Sequence, residues 1–348
     1  MHPTNPAKSS QPPFVGRLSA GPLDSITDVA GVQVGHCTLN QGSIQTGVTV
    51  IRAHQQSHFT HKVPAAVVIM NGFGKSVGLM QLEELGVFET PIALTNTFSV
   101  PAVAEAQLRQ AIAMHPEIGR AWPTVSPLVF ECNDGYLNDI QAFAVQDAHY
   151  QHAYQSAHSQ LQQGSVGAGR GMSCFELKGG IGSASRVVTI APHTYTVGAL
   201  VLANFGKREQ LTLLGRRVAL ESPIPSSEPE KGSIIIVLAT DAPLDARQLR
   251  RLALRATVGL ARTGSNLGHG SGDIAIAFST AYTVPHDRAL HMPAIAMLHE
   301  QKIDGLFEAV ADCVEQAILS ALWHAESVVG RDGHVRHCLL DVHAGLCP

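Results

Sequence analysis

The sequence predicts a mixed α/β fold, and three observations carry that prediction: short apolar runs, longer stretches with helical periodicity, and the alternation of the two along the chain. The runs at residues 65–70 (AAVVIM), 196–203 (TVGALVLA) and 233–240 (SIIIVLAT) are apolar at every position or nearly so and partly β-branched. That is the pattern of strands buried on both faces of a sheet. Helices are expected from Ala102 to Met114, from Asp245 to Arg262 and from Asp304 to Val329. In the second, Asp245 stands as a cap with Gln248 three residues on, as in a capping box, and Leu249, Leu252, Ala256 and Leu260 recur on one face. In the third, Leu306, Val310, Cys313, Ala317 and Ala321 form a stripe that must cover something flat and apolar, such as a sheet. Between Glu221 and Gly232 (ESPIPSSEPEKG) Pro and Ser crowd into a surface loop, but the class of structure is the same on either side. No linker and no repeat is visible, so residues 1–348 are read as a single domain.

Composition narrows the function. A chain of 348 residues with 45% hydrophobic and 15% charged content can bury a large core, which argues against disordered and fibrous classes. The net charge is -4 and the 24 Lys and Arg residues are scattered, so no nucleic-acid surface is expected, and a small, weakly charged partner fits better. The first 18 residues lack the apolar core of a signal peptide, and Pro3, Pro6, Pro12 and Pro13 point to a flexible arm. No window approaches the ~20 apolar residues of a membrane span. Six cysteines, at positions 37, 132, 174, 313, 338 and 347, show no close pairing, which reads as a reduced, cytoplasmic protein. His54, His58 and His61 fall at helical spacing and Cys338, His343 and Cys347 cluster near the end, but neither set has a zinc-site pattern, so no metal is expected.

The chemistry is concentrated between Arg262 and Ala281 (RTGSNLGHGSGDIAIAFSTA). A left-handed helix cap accounts for Gly264 alone. It leaves unexplained Ser265, Asn266 and the glycines that precede an alternating strand through Ile274, Ile276 and Phe278. A serine hydroxyl is a weak nucleophile without an adjacent base. Cutting the chain before the serine supplies one, because the new α-amine, with a reference pKa of about 7.7–8.0, is partly neutral near pH 7. Before the cut, the same hydroxyl can attack the Gly264 carbonyl, and water then hydrolyses the ester. That step needs a turn that holds the attack geometry and a stabiliser for the oxyanion. From spacing alone, a plain structural turn is the alternative.

A second glycine-rich run, GSVGAGRGMSCFELKGGIGSASR at residues 164–186, has a phosphate-cradle reading in which Lys178 adds charge. Its glycines match neither the Walker nor the dinucleotide spacing.

Together with GSNLGHGSGDIAIAFSTA, this run, ECNDGYLND (131–139) and VLANFG (201–206) resemble the L-aminopeptidase/D-esterase family, which includes the β-peptidyl aminopeptidases. The likeness runs from SITDVAGVQVGH (25–36) through MNGFGKSVG (70–78) and PIALTNTFSV (91–100) to the last helix. It implies a four-layer α/β/β/α sandwich, similar in architecture to N-terminal-nucleophile hydrolases with different connectivity. It also implies a precursor that cleaves itself at Gly264-Ser265 into chains 1–264 and 265–348, and a closed homo-oligomer of that two-chain unit. The glycine-rich run would build a wall of the substrate cleft by close backbone approach.

By the same resemblance, Asn204 donates its amide to the oxyanion; the alternative is a strand-end asparagine bonding its own turn. Tyr136 bonds the reacting centre or the substrate, or is a half-buried aromatic with a satisfied hydroxyl. Asn133, Asp134 and Gly135 form the turn that aims it. Glu131 accepts the ammonium of a substrate's free amino end, or is a solvated carboxylate. The family has a pair of residues that supports the nucleophile shortly before the final helix, and here LHEQKIDGLF (298–307) departs from its pattern. His299, as a neutral relay, and Glu300, as a charge stabilising the serine ammonium, are the candidates for that pair; otherwise both are surface residues. The implied activity is release of the amino-terminal residue from short peptides, amino-acid amides or esters through an acyl-enzyme, without a cofactor. Two alternatives remain: an oligoamide hydrolase or acyltransferase of the same fold, and a non-enzymatic, uncut protein that binds a small metabolite.

Overall fold

The computed structural model describes residues 11–218 and 232–343. The first ten residues of the arm, nearly all of the loop expected at 221–232, and Cys347 lie outside them. In chain order the principal elements are β1 (Gln33–Gln41), β2 (Ile44–Arg52), β3 (His61–Gly72), β4 (Ile92–Asn96), α1 (Val100–Met114), β5 (Val129–Cys132), α2 (Asp147–Gln155), β6 (Gly180–Ile190), β7 (His193–Asn204), β8 (Ser233–Thr240), α3 (Ala246–Arg262), β9 (Gly272–Ser279) and α4 (Asp304–Trp323).

Two sheets form. One has the order β1-β2-β4-β5, and the other runs β3-β9-β8-β7-β6 with short edge strands beside β3. Period-two alternation explains why they stack. In β8, Ile235 and Val237 face the other sheet, while Ile234, Ile236 and Leu238 face helices α3 and α4. Against β8 lies β9, parallel to it, with Ile274, Ile276 and Phe278 between the sheets and the smaller Ala275 and Ala277 under the helices. On the far side of the first sheet, Val48, Val50 and Val129 meet Val103 and Ala106 of α1 and Tyr150 and Ala153 of α2. Helix, sheet, sheet and helix therefore follow in four layers, as expected. The parallel pair β8 and β9 is joined by α3, so the peptide that leaves this crossover helix must return to the mouth of β9.

Local expectations are met where local chemistry decides. At α3, the Asp245 carboxylate accepts from Gln248 N at 2.7 Å and the Gln248 side chain accepts from Asp245 N at 3.3 Å. Four expectations are corrected by tertiary contacts. The last helix stops at Trp323 rather than Val329, and Val328–Val329 instead pairs with Val335–Arg336. That hairpin packs on the turn after β5: Arg331 N donates to Leu137 O at 2.8 Å. From Ala309 to Trp323 that helix is buried on every side, not along one stripe. The arm is docked from Pro13 onward, because fully buried Arg186 donates to Val15 O at 2.7 Å, and Gln316 accepts from Val15 N at 2.7 Å and donates to Pro13 O at 3.1 Å. His54, His58 and His61 belong to a loop and the start of β3 rather than a helix; His58 is buried, accepts from Ala53 N at 3.2 Å and stacks on His54.

Candidate active site

One edge of the double sheet gathers most of the predicted residues. Asn204 at the end of β7 is in register with Ser233, Ser233 with Gly272 at the mouth of β9, and Gly272 with Gly72 at the end of β3. Across the core, β5 ends at the same edge: Cys132 Sγ donates to Leu202 O at 3.6 Å, and Asn133 O accepts from the Asn204 side chain at 3.0 Å.

The peptide leaving α3 is clamped before it reaches Ser265. Gly264 adopts φ +99°, a left-handed conformation, and a Cβ there would collide with the Gln210 carbonyl, so only glycine fits. Thr263 O accepts from Thr212 N at 2.9 Å, which ties the turn to the segment that follows β7. Ser265 is partly exposed, and its Oγ accepts from Leu267 N at 3.3 Å, leaving its own proton free to donate. The loop then folds over the end of β3, where Asn71 Nδ2 donates to Gly268 O at 2.6 Å.

Asn204 is buried and its amide is oriented by its partners. Ser173 N lies 2.8 Å from one terminal atom, and because a backbone N–H only donates, that atom is Oδ1. The NH2 group therefore faces Asn133 O, which takes one of its two protons. One N–H is left to donate.

Glu131 is only 3% exposed, which overturns the reading of a solvated carboxylate. Its oxygens accept from Lys75 N at 2.8 Å and from the Thr97 hydroxyl. A Cβ on Gly74 would lie 3.6 Å from Glu131 Oε1, so Gly74 sets no side chain against that oxygen, and the carboxylate keeps lone pairs beyond the two bonds it accepts.

Tyr136 follows the turn expected at Asn133–Gly135, closed by Gly135 N on Asn133 Oδ1 at 2.9 Å. Its ring is 39% exposed, stacks on His334 with centroids 4.7 Å apart, and lies under the Arg336 guanidinium at 3.6 Å. Within the turn, Asp134 is fully buried, and burial raises its carboxyl pKa to about 7.

His299 and Glu300 are not part of this constellation. Glu300 is ion-paired with Arg247 and Arg251, which sit in the first two turns of α3, and Arg247 above all holds its carboxyl below the usual range. His299 caps the short turn that follows, accepting from Gln301 N at 3.2 Å. Ser265 comes after the last turn of the same helix, and at 1.5 Å per residue the two ends are roughly 25 Å apart. The pair that sequence proximity to the final helix nominated serves as an anchor for α3 instead.

Lys178 rules out the phosphate-cradle reading that the glycine spacing already disfavoured. It is fully buried, and its Nζ donates to Gly169 O, Met172 O and Gly179 O at 2.9, 3.0 and 2.8 Å, so it cannot meet a phosphate. It cross-links the glycine-rich run from within. Among the described residues no cluster of three or more His, Cys, Asp or Glu side chains suited to a metal is present, no disulfide joins the five described cysteines, and no helix is long and apolar enough to cross a membrane.

Several neighbours went unnamed by sequence reasoning. Thr97 and Ser173 lie inside motifs already noted, PIALTNTFSV and the glycine-rich run, so a closer reading of those motifs would have reached them. Thr212, Gln210 and Arg336 carry no local signal; only folding brings them to the site.

The sequence model of peptidase family S58 matches residues 24–336. The chain belongs to peptidase family S58. The β-peptidyl aminopeptidase BapA of Sphingosinicella microcystinivorans is 37% identical over 350 residues, spanning 92% of this chain and 86% of that protein. Among solved structures, the PH0078 protein of Pyrococcus horikoshii OT3 is 48% identical with a TM-score of 0.89, covering 93% of this chain and 94% of that one. The L-aminopeptidase D-Ala-esterase/amidase of Ochrobactrum anthropi, described as a variant of the Ntn hydrolase fold, is 36% identical with a TM-score of 0.88, covering 97% and 98%. The S58 chain is thus an aminopeptidase and a peptide-bond hydrolase, and the reading as a non-enzymatic binder falls away.

Proposed function

We propose that this S58 aminopeptidase matures by cutting its own Gly264-Ser265 bond into chains 1–264 and 265–348, and that Ser265 is then the nucleophile with its own α-amine as base. The observation that carries this reading is the turn before Ser265: a glycine that no other residue can replace, clamped through the Thr263 carbonyl, followed by a partly exposed hydroxyl with a free proton. The spare N–H of Asn204 is suited to an oxyanion, and the remaining lone pairs of Glu131, beside the side-chain-free Gly74, to a substrate ammonium. Tyr136 stands on the adjoining turn as the group that bonds the reacting centre or the substrate. In this mechanism Ser265 attacks the carbonyl of the first residue, the amine takes the hydroxyl proton and returns it to the leaving nitrogen, and water releases the acyl group. Short peptides, amino-acid amides and esters are the substrates, and the likeness to a β-peptidyl aminopeptidase extends the range to β-amino acids. The reading also includes a homo-oligomer of the two-chain unit, supported by Leu254 and Val258, four apart on α3 and 45% and 47% exposed.

The test is intact-mass spectrometry of matured protein together with p-nitroaniline release from α- and β-aminoacyl p-nitroanilides. Wild type is expected to give two fragments and turnover, whereas Ser265→Ala should stay whole and lose on the order of 10³-fold or more in kcat. Turnover by a full-length chain would refute the mechanism. A correctly cut protein that is silent on the whole panel would favour the oligoamide hydrolase instead.

A further inference from the structure

Tyr136 and Asn204 come from different sheets, and the stretch of chain that touches the partners of both lies after the final helix, beyond the proposed cut. In the hairpin of Val328–Val329 and Val335–Arg336, Arg336 places its Cζ 3.6 Å from the centroid of the Tyr136 ring. Its Nε donates to Ser173 Oγ at 3.1 Å, and the Ser173 N–H is the group that orients the Asn204 amide at 2.8 Å. The rest of the hairpin holds the Tyr136 turn by its backbone: Arg331 Nε donates to Gly135 O at 2.7 Å, and His334 Nδ1 lies 2.8 Å from Tyr136 O. One guanidinium plane therefore touches the ring directly and the amide through one intervening residue.

We propose that Arg336 is a positioning residue of the aminopeptidase, aligning the Tyr136 ring and, through Ser173, the Asn204 side chain in a single geometry. This rests on the roles assigned above to those two residues. A guanidinium suits the task because it stacks flat on an aromatic face while donating in its own plane, which an ammonium cannot do. The role places part of the active-site scaffold in the small chain, so that the chain supplying Ser265 also sets the groups that Ser265 works with.

The experiment compares Arg336→Ala, Arg336→Lys and Ser173→Ala, each assayed for self-cleavage, thermal melting, and kcat and KM on the aminoacyl p-nitroanilide that wild type cleaves fastest. Misplacement of a reacting group by about 1 Å costs on the order of 10²-fold. Arg336→Ala should therefore lose about 10- to 100-fold in kcat while KM stays within about twofold, and added guanidinium ion should restore part of the loss. Arg336→Lys should recover little, and Ser173→Ala should lose less than Arg336→Ala and show no additivity with it. A kcat unchanged in Arg336→Ala, or a loss that merely follows a lowered melting point and does not respond to guanidinium, would overturn the proposal. Tyr136→Phe and Asn204→Ala separate the two layers of argument: if both retain full kcat, the underlying site assignment fails, whereas if both are impaired and Arg336→Ala is not, only the positioning role fails.

Discussion

Two glycine-rich stretches of this chain look alike in sequence and do opposite things in the fold. In residues 164–186 the glycines let main chain touch main chain: a Cβ on Gly182 would collide with Ala317 O of α4, and one on Gly171 would press on the buried Asp134. Lys178 of that run points inward, where three carbonyls accept from its ammonium. In residues 264–272 one glycine forces the peptide into a left-handed turn, and the polar residues beside it, Ser265 and Asn266, remain accessible. Glycine spacing is therefore silent about function. The difference lies in whether the neighbouring polar group is used up by the protein or left for another molecule.

That contrast can be broken most severely at Lys178. Lys178→Met removes three charge-assisted hydrogen bonds at once; Gly169 O and Met172 O keep backbone donors in Met172 N and Gly179 N, but Gly179 O loses its side-chain partner, and the change is expected to cost about 3–5 kcal/mol in denaturant unfolding. An ordinary melting curve would mean that the run does not depend on its internal cross-link.

The next effect is a pH dependence carried by Asp134, which lies under Gly171. Its folded pKa, near 7, is raised above the ordinary value of 3.8, so the folded state holds a proton that the unfolded chain releases. Its contribution to stability is thus fully present below 3.8 and is lost as pH rises through about 7. Asp134→Asn has no proton to lose, so relative to wild type it should gain stability, by up to a few kcal/mol, between pH 4 and pH 7. A stability difference that is flat across that window would show that the carboxyl is ionised in the fold.

The smallest expected effect sharpens the comparison directly. Gly182→Ala and Gly264→Ala should each cost about 1–3 kcal/mol through overpacking, read as a shift in thermal melting. Only the second should leave the precursor uncut on denaturing electrophoresis. If Gly182→Ala blocked cleavage and Gly264→Ala did not, the division of labour between the two runs would be the reverse of that argued above.

What was legible in the sequence, and what was not, follows the range of the forces involved. The buried strands, the Asp245 cap and the left-handed Gly264 depend on neighbours within a few residues, and their patterns were readable one segment at a time. The resemblance in ordered motifs carried the family, the four layers and the residues Glu131, Tyr136, Asn204 and Ser265 to one edge of the double sheet. The support pair failed because His299 and Glu300 are near the last helix in sequence, but that proximity does not say which end of α3 they meet; Arg247 and Arg251 decide it. Trp323 likewise ends its helix because the segment after it is claimed by the turn that carries Leu137.

The sequence by itself determined the strand and helix periodicities, the cap of α3 and the pairing of an obligatory glycine with a serine, since these are set by backbone sterics and the alternation of apolar side chains. Only the tertiary structure decided that Glu131 is buried, that Lys178 faces inward, and that Arg336 reaches the Tyr136 ring. Those outcomes depend on strand register and on how segments stack, some of them, like Arg336 and Tyr136, far apart in sequence, and their meeting is settled by burial of the shared core.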